Sequence, residues 1–100
     1  MTLNIIIKPS HLSSKKYDAV IDGKKTIPFG QKGASDMTQH KDEDRKNRYI
    51  NRHQKNEDWN NIYTAGFWSR WILWNKPSIS ESIRDTNNRF KNVNIKNKII

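Results

Sequence analysis

The feature that most constrains this chain is a run of large aromatic residues in an otherwise polar sequence. Residues 64–77 read TAGFWSRWILWNKP and hold three of the four tryptophans together with Phe67. Hydrophobic residues make up only 33% of the 100 residues. Because an aromatic side chain buries roughly 150–250 Å², this run must supply much of a single core, and a second core is not feasible.

The spacing within this run predicts a helix over residues 64–74. Thr64 is a favourable N-cap, and the Asn75-Lys76-Pro77 segment is a favourable stop. One helical stripe, at positions i, i+4 and i+7, is formed by Phe67, Trp71 and Trp74. We expect this stripe to face the core.

Trp68 lies beside that stripe and allows two interpretations. In the first, the whole aromatic run is core and serves only as scaffold. In the second, the Trp68 indole stays accessible beside Arg70, where it would stack on a base or contact another protein. The exposure of these two side chains distinguishes the interpretations.

The chain is strongly basic, with 19 Lys/Arg against 10 Asp/Glu, a formal net charge of +9 and a pI near 10.0. Such an excess creates a positive field that favours a polyanionic partner. There is no cysteine, which excludes thiolate catalysis, thiolate metal ligands and disulfides. No apolar run suits a secretory signal or reaches the roughly 20 residues that span a bilayer, so we expect neither secretion nor a membrane partner.

The residues that we expect to contact phosphates share a positive charge and a place on or beside a predicted helix. They are Arg45, Lys46, Arg48, Arg52, Lys55, Arg70, Lys76, Arg84, Arg89 and Lys91. The number of such contacts, more than their exact spacing, sets affinity for nucleic acid. The alternative is a solvated helix face laced with i,i+4 pairs. Because the sequence has no zinc finger, RRM signature or heptad repeat, we do not expect sequence-specific readout.

The first third of the chain predicts β-strands. Residues 3–8 are β-branched and short, and the Asp22-Gly23 pair between two β-prone runs predicts a hairpin over residues 17–29. A three-residue loop aligns the apolar faces of the two strands better than a two-residue loop does. Pro28 cannot donate to a ladder, so we expect the second strand of the hairpin at a sheet edge.

The rest of the chain predicts helices. Residues 36–54 predict one polar helix with a thin apolar stripe of Met37, Tyr49 and Ile50. Ser78 and Glu81 form a capping box for a helix over about 79–91, and residues 92–100 predict a weak strand or a frayed tail. We therefore expect a single α+β domain: a small N-terminal antiparallel sheet and Gly loop (1–35), three helices packed on it (36–91) and a tail (92–100).

Two weaker patterns have chemical interpretations. Gly30 and Gly33 give a Gly-x-x-Gly loop like the backbone clamp of KH domains, but here the loop follows a strand, which favours a plain connector. His40 and Asp44 lie at i,i+4 on the predicted helix and would share a hydrated Mg²⁺ or Mn²⁺ in a nuclease. Neighbouring carboxylates point in different directions on a helix, so we expect no metal, no cofactor and no catalytic residue.

Several segments taken together resemble a known family. They are residues 29–38, 40–45, 48–49, 52–53 and 64–77. The combination resembles a family of short uncharacterised basic proteins of large (giant) DNA viruses of protists and algae, over about residues 17–91. The resemblance implies a viral origin and the same strand-to-helix order. It transfers no catalytic role, and it implies a place in the host cytoplasm, the viral factory or the virion.

We therefore expect a non-enzymatic, sequence-nonspecific nucleic-acid-binding or genome-associated viral protein, whose partner is the phosphate backbone of DNA or RNA. The alternative is a virion structural, minor capsid or protein-interaction component that docks on an acidic viral protein surface. A metal-dependent nuclease is the third hypothesis.

Overall fold

The computed structural model describes residues 2–99 and has the predicted α+β fold. Its strands are β1 (Leu3–Pro9), β2 (Lys15–Ile21), β3 (Lys25–Gln31) and β4 (Val93–Asn97). Between β3 and β4 lie α1 (Met37–His40), α2 (Glu43–His53), α3 (Ala65–Trp68), a π-helix (Ser69–Leu73) and α4 (Ile79–Arg89). Within residues 2–99, no helix is long and apolar enough to cross a membrane.

The predicted hairpin is confirmed, with the predicted register. Ile21 lies opposite Lys25, which leaves the three-residue loop 22–24. Asp22 and Gly23 both have positive φ (52° and 68°), the conformation that Asp and Gly tolerate best. The pairing places Tyr17 opposite Phe29 on the face that packs against the helices.

The sheet is mixed, which corrects the prediction of a purely antiparallel sheet. The strand order is β3-β2-β1-β4, and β4 pairs in parallel with β1, so that Leu3 lies opposite Val93. The segment predicted as a weak strand or a frayed tail is therefore a strand. Its alternating Val93 and Ile95 are buried. As predicted, Pro28 lies on an edge strand, β3.

The polar helix predicted over residues 36–54 is broken in two. Asp36 caps α1 by accepting from the Thr38 amide, and Lys41 then adopts a left-handed conformation with φ 56°. Asp42 starts α2 by accepting from the amides of residues 44 and 45. The break follows from this second cap, because an Asp side chain that bonds its own backbone competes with a continuous helix.

The aromatic run also departs from one α-helix. Thr64 caps α3 as predicted, since its hydroxyl accepts from the Phe67 amide (3.2 Å). Beyond Trp68, however, the chain forms a turn of π-helix, and the Trp74 amide donates to the Ser69 carbonyl five residues back (3.0 Å). Ser78 and Glu81 then cap α4 as predicted.

This π-helix changes which aromatic side chains are buried. The buried apolar side chains of the run form two pairs whose members are five residues apart, Phe67 with Ile72 and Trp68 with Leu73. Phe67 is buried as predicted. Trp71 and Trp74, which α-helical spacing places in the core, are only half-buried. A five-residue spacing fits i→i+5 bonding and not the i, i+4, i+7 stripe.

Trp68 is fully buried, which favours the interpretation in which the aromatic run is core and leaves the indole unavailable to stack on a base. Its ring lies 6.4 Å from the ring of Phe29 and 4.8 Å from that of Phe67, between the sheet and α3. Its Nε1 donates a hydrogen bond to the Ile62 carbonyl (2.8 Å). The indole therefore has neither a free face nor a free donor, and it belongs to the core.

The outer face of the sheet carries one buried charge. Asp18 of β2 is fully buried beneath the β1–β2 loop, where its carboxylate accepts from Ser10 Oγ (2.6 Å), the His11 amide (3.1 Å) and His11 Nδ1 (2.6 Å). Burial by itself raises the pKa of this carboxyl, but the hydrogen bonds from His11 and Ser10 outweigh burial and hold the pKa below its ordinary 3.8.

This carboxylate makes stability depend on pH in the acidic range. A carboxyl with a lowered folded-state pKa stabilises the fold above its ordinary pKa, and that contribution is lost as the pH falls through the folded-state value. We expect Asp18→Asn to lower the free energy of unfolding at pH 7 by about 1.5–3 kcal/mol and to flatten the loss below about pH 4. Urea denaturation followed by circular dichroism measures both effects. The exposed Asp44→Asn is the control, and an equal change in it would contradict the assignment.

Candidate nucleic-acid interface

A cleft of about 590 Å³ lies between α2, the end of the β2–β3 hairpin and the aromatic segment. The wall from α2 is made of Arg45, Tyr49, Arg52 and His53. The opposite walls come from residues 30–31 and 34–36, at the two ends of the Gly loop, and from Ser69, Leu73 and Trp74. Three segments that are distant in sequence therefore meet at one concave site.

The helical repeat explains why α2 presents cations to the cleft. Arg45, Tyr49 and Arg52 lie at i, i+4 and i+7, which is one face of an α-helix. Tyr49 is buried and anchors that face to the domain, so the two exposed arginines stand on either side of it. About 10 Å along the helix axis separate the two arginine positions.

The inner side of the cleft is aromatic. The Tyr49 ring stacks on the Trp74 ring, with centroids 4.5 Å apart and an angle of 3° between the planes. The His53 ring lies 4.3 Å from the Tyr49 ring. Burial, together with the nearby Glu57 carboxylate, raises the pKa of Tyr49 above its ordinary 10.0, so the phenol stays neutral. The cations therefore stand beside a rigid aromatic stack.

The cleft also contains one carboxylate with a fixed position. Glu57 Oε2 accepts a hydrogen bond from Trp59 Nε1 (2.8 Å), and Oε1 lies 3.8 Å from His53 Nδ1. The carboxylate lies against Gly66, where an added Cβ would come within 2.8 Å of Oε1. The glycine leaves room for the acid at the wall of the cleft.

Lys16 lines the cleft but is occupied by contacts within the protein. Its Nζ bonds to Asp36 Oδ2 (2.5 Å), to Gln39 Oε1 (3.1 Å) and to the Ala34 carbonyl. The lysine side chain and the Asp36 carboxylate are both largely buried. This ion pair ties the Gly loop and α1 to β2, so it shapes the cleft and adds no free charge.

Only some of the basic residues predicted to bind phosphate come together. Arg45 and Arg52 line the cleft, whereas Arg48 and Lys55 are exposed outside it. Lys46 is half-buried, with its Nζ 3.7 Å from Glu43 Oε2. The sequence predicted a single row of basic residues along this helix. In the structure, only Arg45 and Arg52 share the cleft, and the other basic residues lie outside it.

Arg70 and Arg89 flank a different aromatic side chain. Their guanidinium carbons lie 4.3 Å and 4.9 Å from the centre of the Trp71 ring. Arg70 Nη1 donates to the Trp74 carbonyl (3.0 Å), and burial followed by repulsion from Arg89 lowers the pKa of Arg70. Arg89 also pairs with Asp85 (2.6 Å). These arginines are engaged by the fold, which makes them poor candidates for phosphate contacts.

The remaining predicted positions lie apart from the cleft. Lys76 and Arg84 border a shallow depression that also contains the acidic Glu81 and Asp85. Lys91 is exposed just beyond α4. We find no arrangement that brings these three cations together with Arg45 and Arg52.

The His40–Asp44 metal pair is not formed, which corrects that interpretation. The helix break separates the two residues, and His40 Nδ1 accepts from the Asp42 amide (2.9 Å). A ring nitrogen used in this way is not free to bind a cation. Among residues 2–99, no group of three His, Asp or Glu side chains is arranged to hold a metal ion.

Sequence reasoning missed Lys15, Lys16, Asp36, Glu57 and Trp74 as cleft residues. They come from four segments that are far apart in sequence, with Lys15 and Lys16 together in β2, so no local spacing connects them. Tyr49 was assigned correctly to the apolar stripe, and its i,i+4 relation to Arg45 was the one available signal that a cationic face adjoins it. The Gly loop is a strand-to-helix connector as predicted, and it also lines the cleft.

The fold and the site define a small basic α+β domain with a cationic, aromatic-walled cleft. Residues 5–53 match the model of a family of unknown function, DUF5754. The match runs from β1 through α2, so it includes the arginine wall and stops before the aromatic segment. No curated protein and no solved structure matches the chain.

Proposed function

We propose that the protein binds nucleic acid without catalysing a reaction, through contacts of Arg45 and Arg52 to backbone phosphates at the cleft. The net charge of +9 supports this function because it attracts a polyanion from a distance. Aromatic side chains beside cations are the combination that proteins use for nucleic-acid strands without strong sequence preference.

The observation that carries the proposal is the pairing state of the basic residues. Within the described chain, Arg45 and Arg52 form no ion pair, whereas Lys16, Lys46 and Arg89 each pair with a carboxylate. An exposed, unpaired guanidinium gains the most from a phosphate, because no internal partner is displaced. Two such groups at one concave site favour an anionic ligand there.

We further propose, from the family resemblance, that the setting is viral and that the nucleic acid is the genome or a transcript of a large DNA virus. The competing function is a virion component whose basic surface docks on an acidic viral protein. Both functions use the same charges, and salt dependence with a nucleic-acid probe separates them.

The test compares Arg45→Gln/Arg52→Gln with the wild-type protein in binding to a fluorescein-labelled oligonucleotide of about 12 nucleotides. We expect each lost contact to weaken binding roughly tenfold at about 50 mM NaCl. The slope of log K against log salt should fall in magnitude by about 1.4 for single strands, because each phosphate contact contributes about 0.7. Fluorescence anisotropy across a salt series measures both quantities.

The matched control is Lys8→Gln/Lys96→Gln, which removes the same charge from exposed positions on the outer face of the sheet. Its affinity and salt slope should change much less. An equal loss in both double variants would contradict the cleft as the binding site. No binding by the wild-type protein, even at about 50 mM NaCl, would overturn the proposed function and favour an acidic protein partner.

A further inference from the structure

The cleft carries opposite charges at separate places. Arg45 and Arg52 stand on the α2 wall, and Glu57 follows the C-terminal end of that helix. A ligand made only of phosphates would fit the arginines and be repelled by the carboxylate. The cleft therefore matches a ligand that is anionic at one end and presents N–H donors at the other.

The Glu57 carboxylate is positioned to accept such a donor. Its Oε2 is held by Trp59 Nε1, which fixes the direction of the side chain. Its Oε1 accepts no hydrogen bond from the described residues, and His53 Nδ1, at 3.8 Å, is beyond hydrogen-bond distance. The side chain is 28% exposed and lines the cleft. A carboxylate oxygen in this state accepts from an amino group and repels a carbonyl oxygen.

The size and lining of the cleft suit a single nucleotide. Its volume of about 590 Å³ lies in the range of small-molecule sites, which is about 300–1,000 Å³. The stacked Tyr49 and Trp74 rings line the cleft, so a base there packs beside an aromatic wall. A base within a duplex is stacked and paired, so only an unpaired base can enter a concave site of this size.

We propose that the cleft takes one unpaired nucleotide of a strand, whose base carries an exocyclic amino group, cytosine or adenine, with the phosphates on either side of it on Arg45 and Arg52 and its amino group on Glu57 Oε1. This inference rests on the proposed function and adds a base preference to it. Cytosine donates from N4 and adenine from N6, the groups that a carboxylate accepts. Thymine and uracil present O4 at the corresponding place and are disfavoured.

The test measures the affinity ratio of single-stranded oligo(dC) to oligo(dT), each of about 12 nucleotides, by anisotropy at neutral pH. The two strands have the same charge and similar, weak base stacking. The ratio of their affinities therefore depends mainly on the hydrogen-bonding groups at the edge of the base. We expect the wild-type protein to bind oligo(dC) roughly fivefold more tightly, the value of one hydrogen bond to a charged acceptor at a partly exposed site. In a dC·dG duplex of equal length the cytosines are paired and cannot enter the cleft, so we expect no such gain in affinity from cytosine.

Glu57→Gln is the decisive variant, because it removes the charge and keeps the size of the side chain. The amide oxygen still accepts from Trp59, so the NH2 group takes the place of Oε1, where it donates to O4 of thymine and opposes N4 of cytosine. We expect the affinity for oligo(dT) to rise and the ratio to fall to one or below. The matched control is Glu43→Gln on α2, an exposed carboxylate outside the cleft, in which the ratio should stay at the wild-type value.

The outcomes separate this inference from the proposed function. If both strands bind and the ratio is one in the wild-type protein, or is unchanged in Glu57→Gln, the base preference is overturned and phosphate binding stands. If neither strand binds, the proposed function fails and the inference fails with it. If Glu57→Gln does not fold, Glu57→Asp keeps the charge and withdraws the carboxylate, and a retained ratio in that variant contradicts the contact.

Discussion

Replacing Trp68 with alanine is expected to lower the free energy of unfolding by about 3–5 kcal/mol, the usual range for deleting a buried aromatic side chain. The indole has no exposed surface and packs against Phe29 and Phe67. Its removal also leaves the buried Ile62 carbonyl without its hydrogen-bond donor. Urea denaturation followed by far-ultraviolet circular dichroism measures the change without relying on tryptophan fluorescence.

Trp71→Ala is the comparison that makes this result informative. Trp71 belongs to the same aromatic run but is only half-buried, and its Nε1 donates to the Trp59 carbonyl (2.9 Å). We expect a loss clearly smaller than that of Trp68→Ala. Equal losses of stability would contradict our interpretation that the π-helix buries Trp68 and leaves Trp71 only half-buried. If Trp68→Ala does not fold, Trp68→Phe, which keeps one ring, should still be less stable than the wild-type protein.

Replacing Gly30 with alanine is expected to lower the free energy of unfolding by about 2–5 kcal/mol, for two independent reasons. Gly30 has φ +77°, a left-handed conformation that costs an L-residue roughly 1–2 kcal/mol. An added Cβ would also lie 2.7 Å from Leu73 Cδ1, and Leu73 is buried, so its side chain has little room to move. Overpacking of this kind costs about 1–3 kcal/mol.

Gly33→Ala separates the two reasons. Gly33 also has positive φ (+92°), but an added Cβ there meets nothing within 4 Å. The loss of unfolding free energy in Gly33→Ala, measured by chemical denaturation, should therefore reflect backbone strain alone. The additional loss in Gly30→Ala should reflect the contact with Leu73. Equal losses in the two variants would show that the hairpin and the π-helix are not packed as tightly as described.

Local patterns predicted most of the secondary structure. The hairpin depended on Asp22-Gly23 and on matching apolar faces, and both signals act within about a dozen residues. The caps of α3 and α4 were equally local, since Thr64 and Ser78 each bond an amide three residues ahead. Features that depend only on neighbouring residues could therefore be predicted from the sequence.

Tertiary interactions decided the rest. The burial of Trp68 in place of Trp71 and Trp74 depends on a π-helix, and helical periodicity assumes i→i+4 bonds throughout. The parallel pairing of β4 with β1 joins residues about ninety positions apart, for which no short pattern exists. The cleft likewise needs α2, the Gly loop and the aromatic segment in place together, so composition alone predicted its charge and not its location.

The position of β1 between β2 and β4 imposes an order on the assembly of the domain. The β2–β3 hairpin closes over a short loop, whereas β4 reaches β1 only after the helices have traversed the face of the sheet. Until then, one edge of the Ile5-Ile6-Ile7 segment has unpaired amides and carbonyls, the state in which a strand adds most readily to another chain. Once β4 has paired with β1, β4 is itself the edge strand on that side of the sheet, and its one lysine, Lys96, adds charge to the new edge.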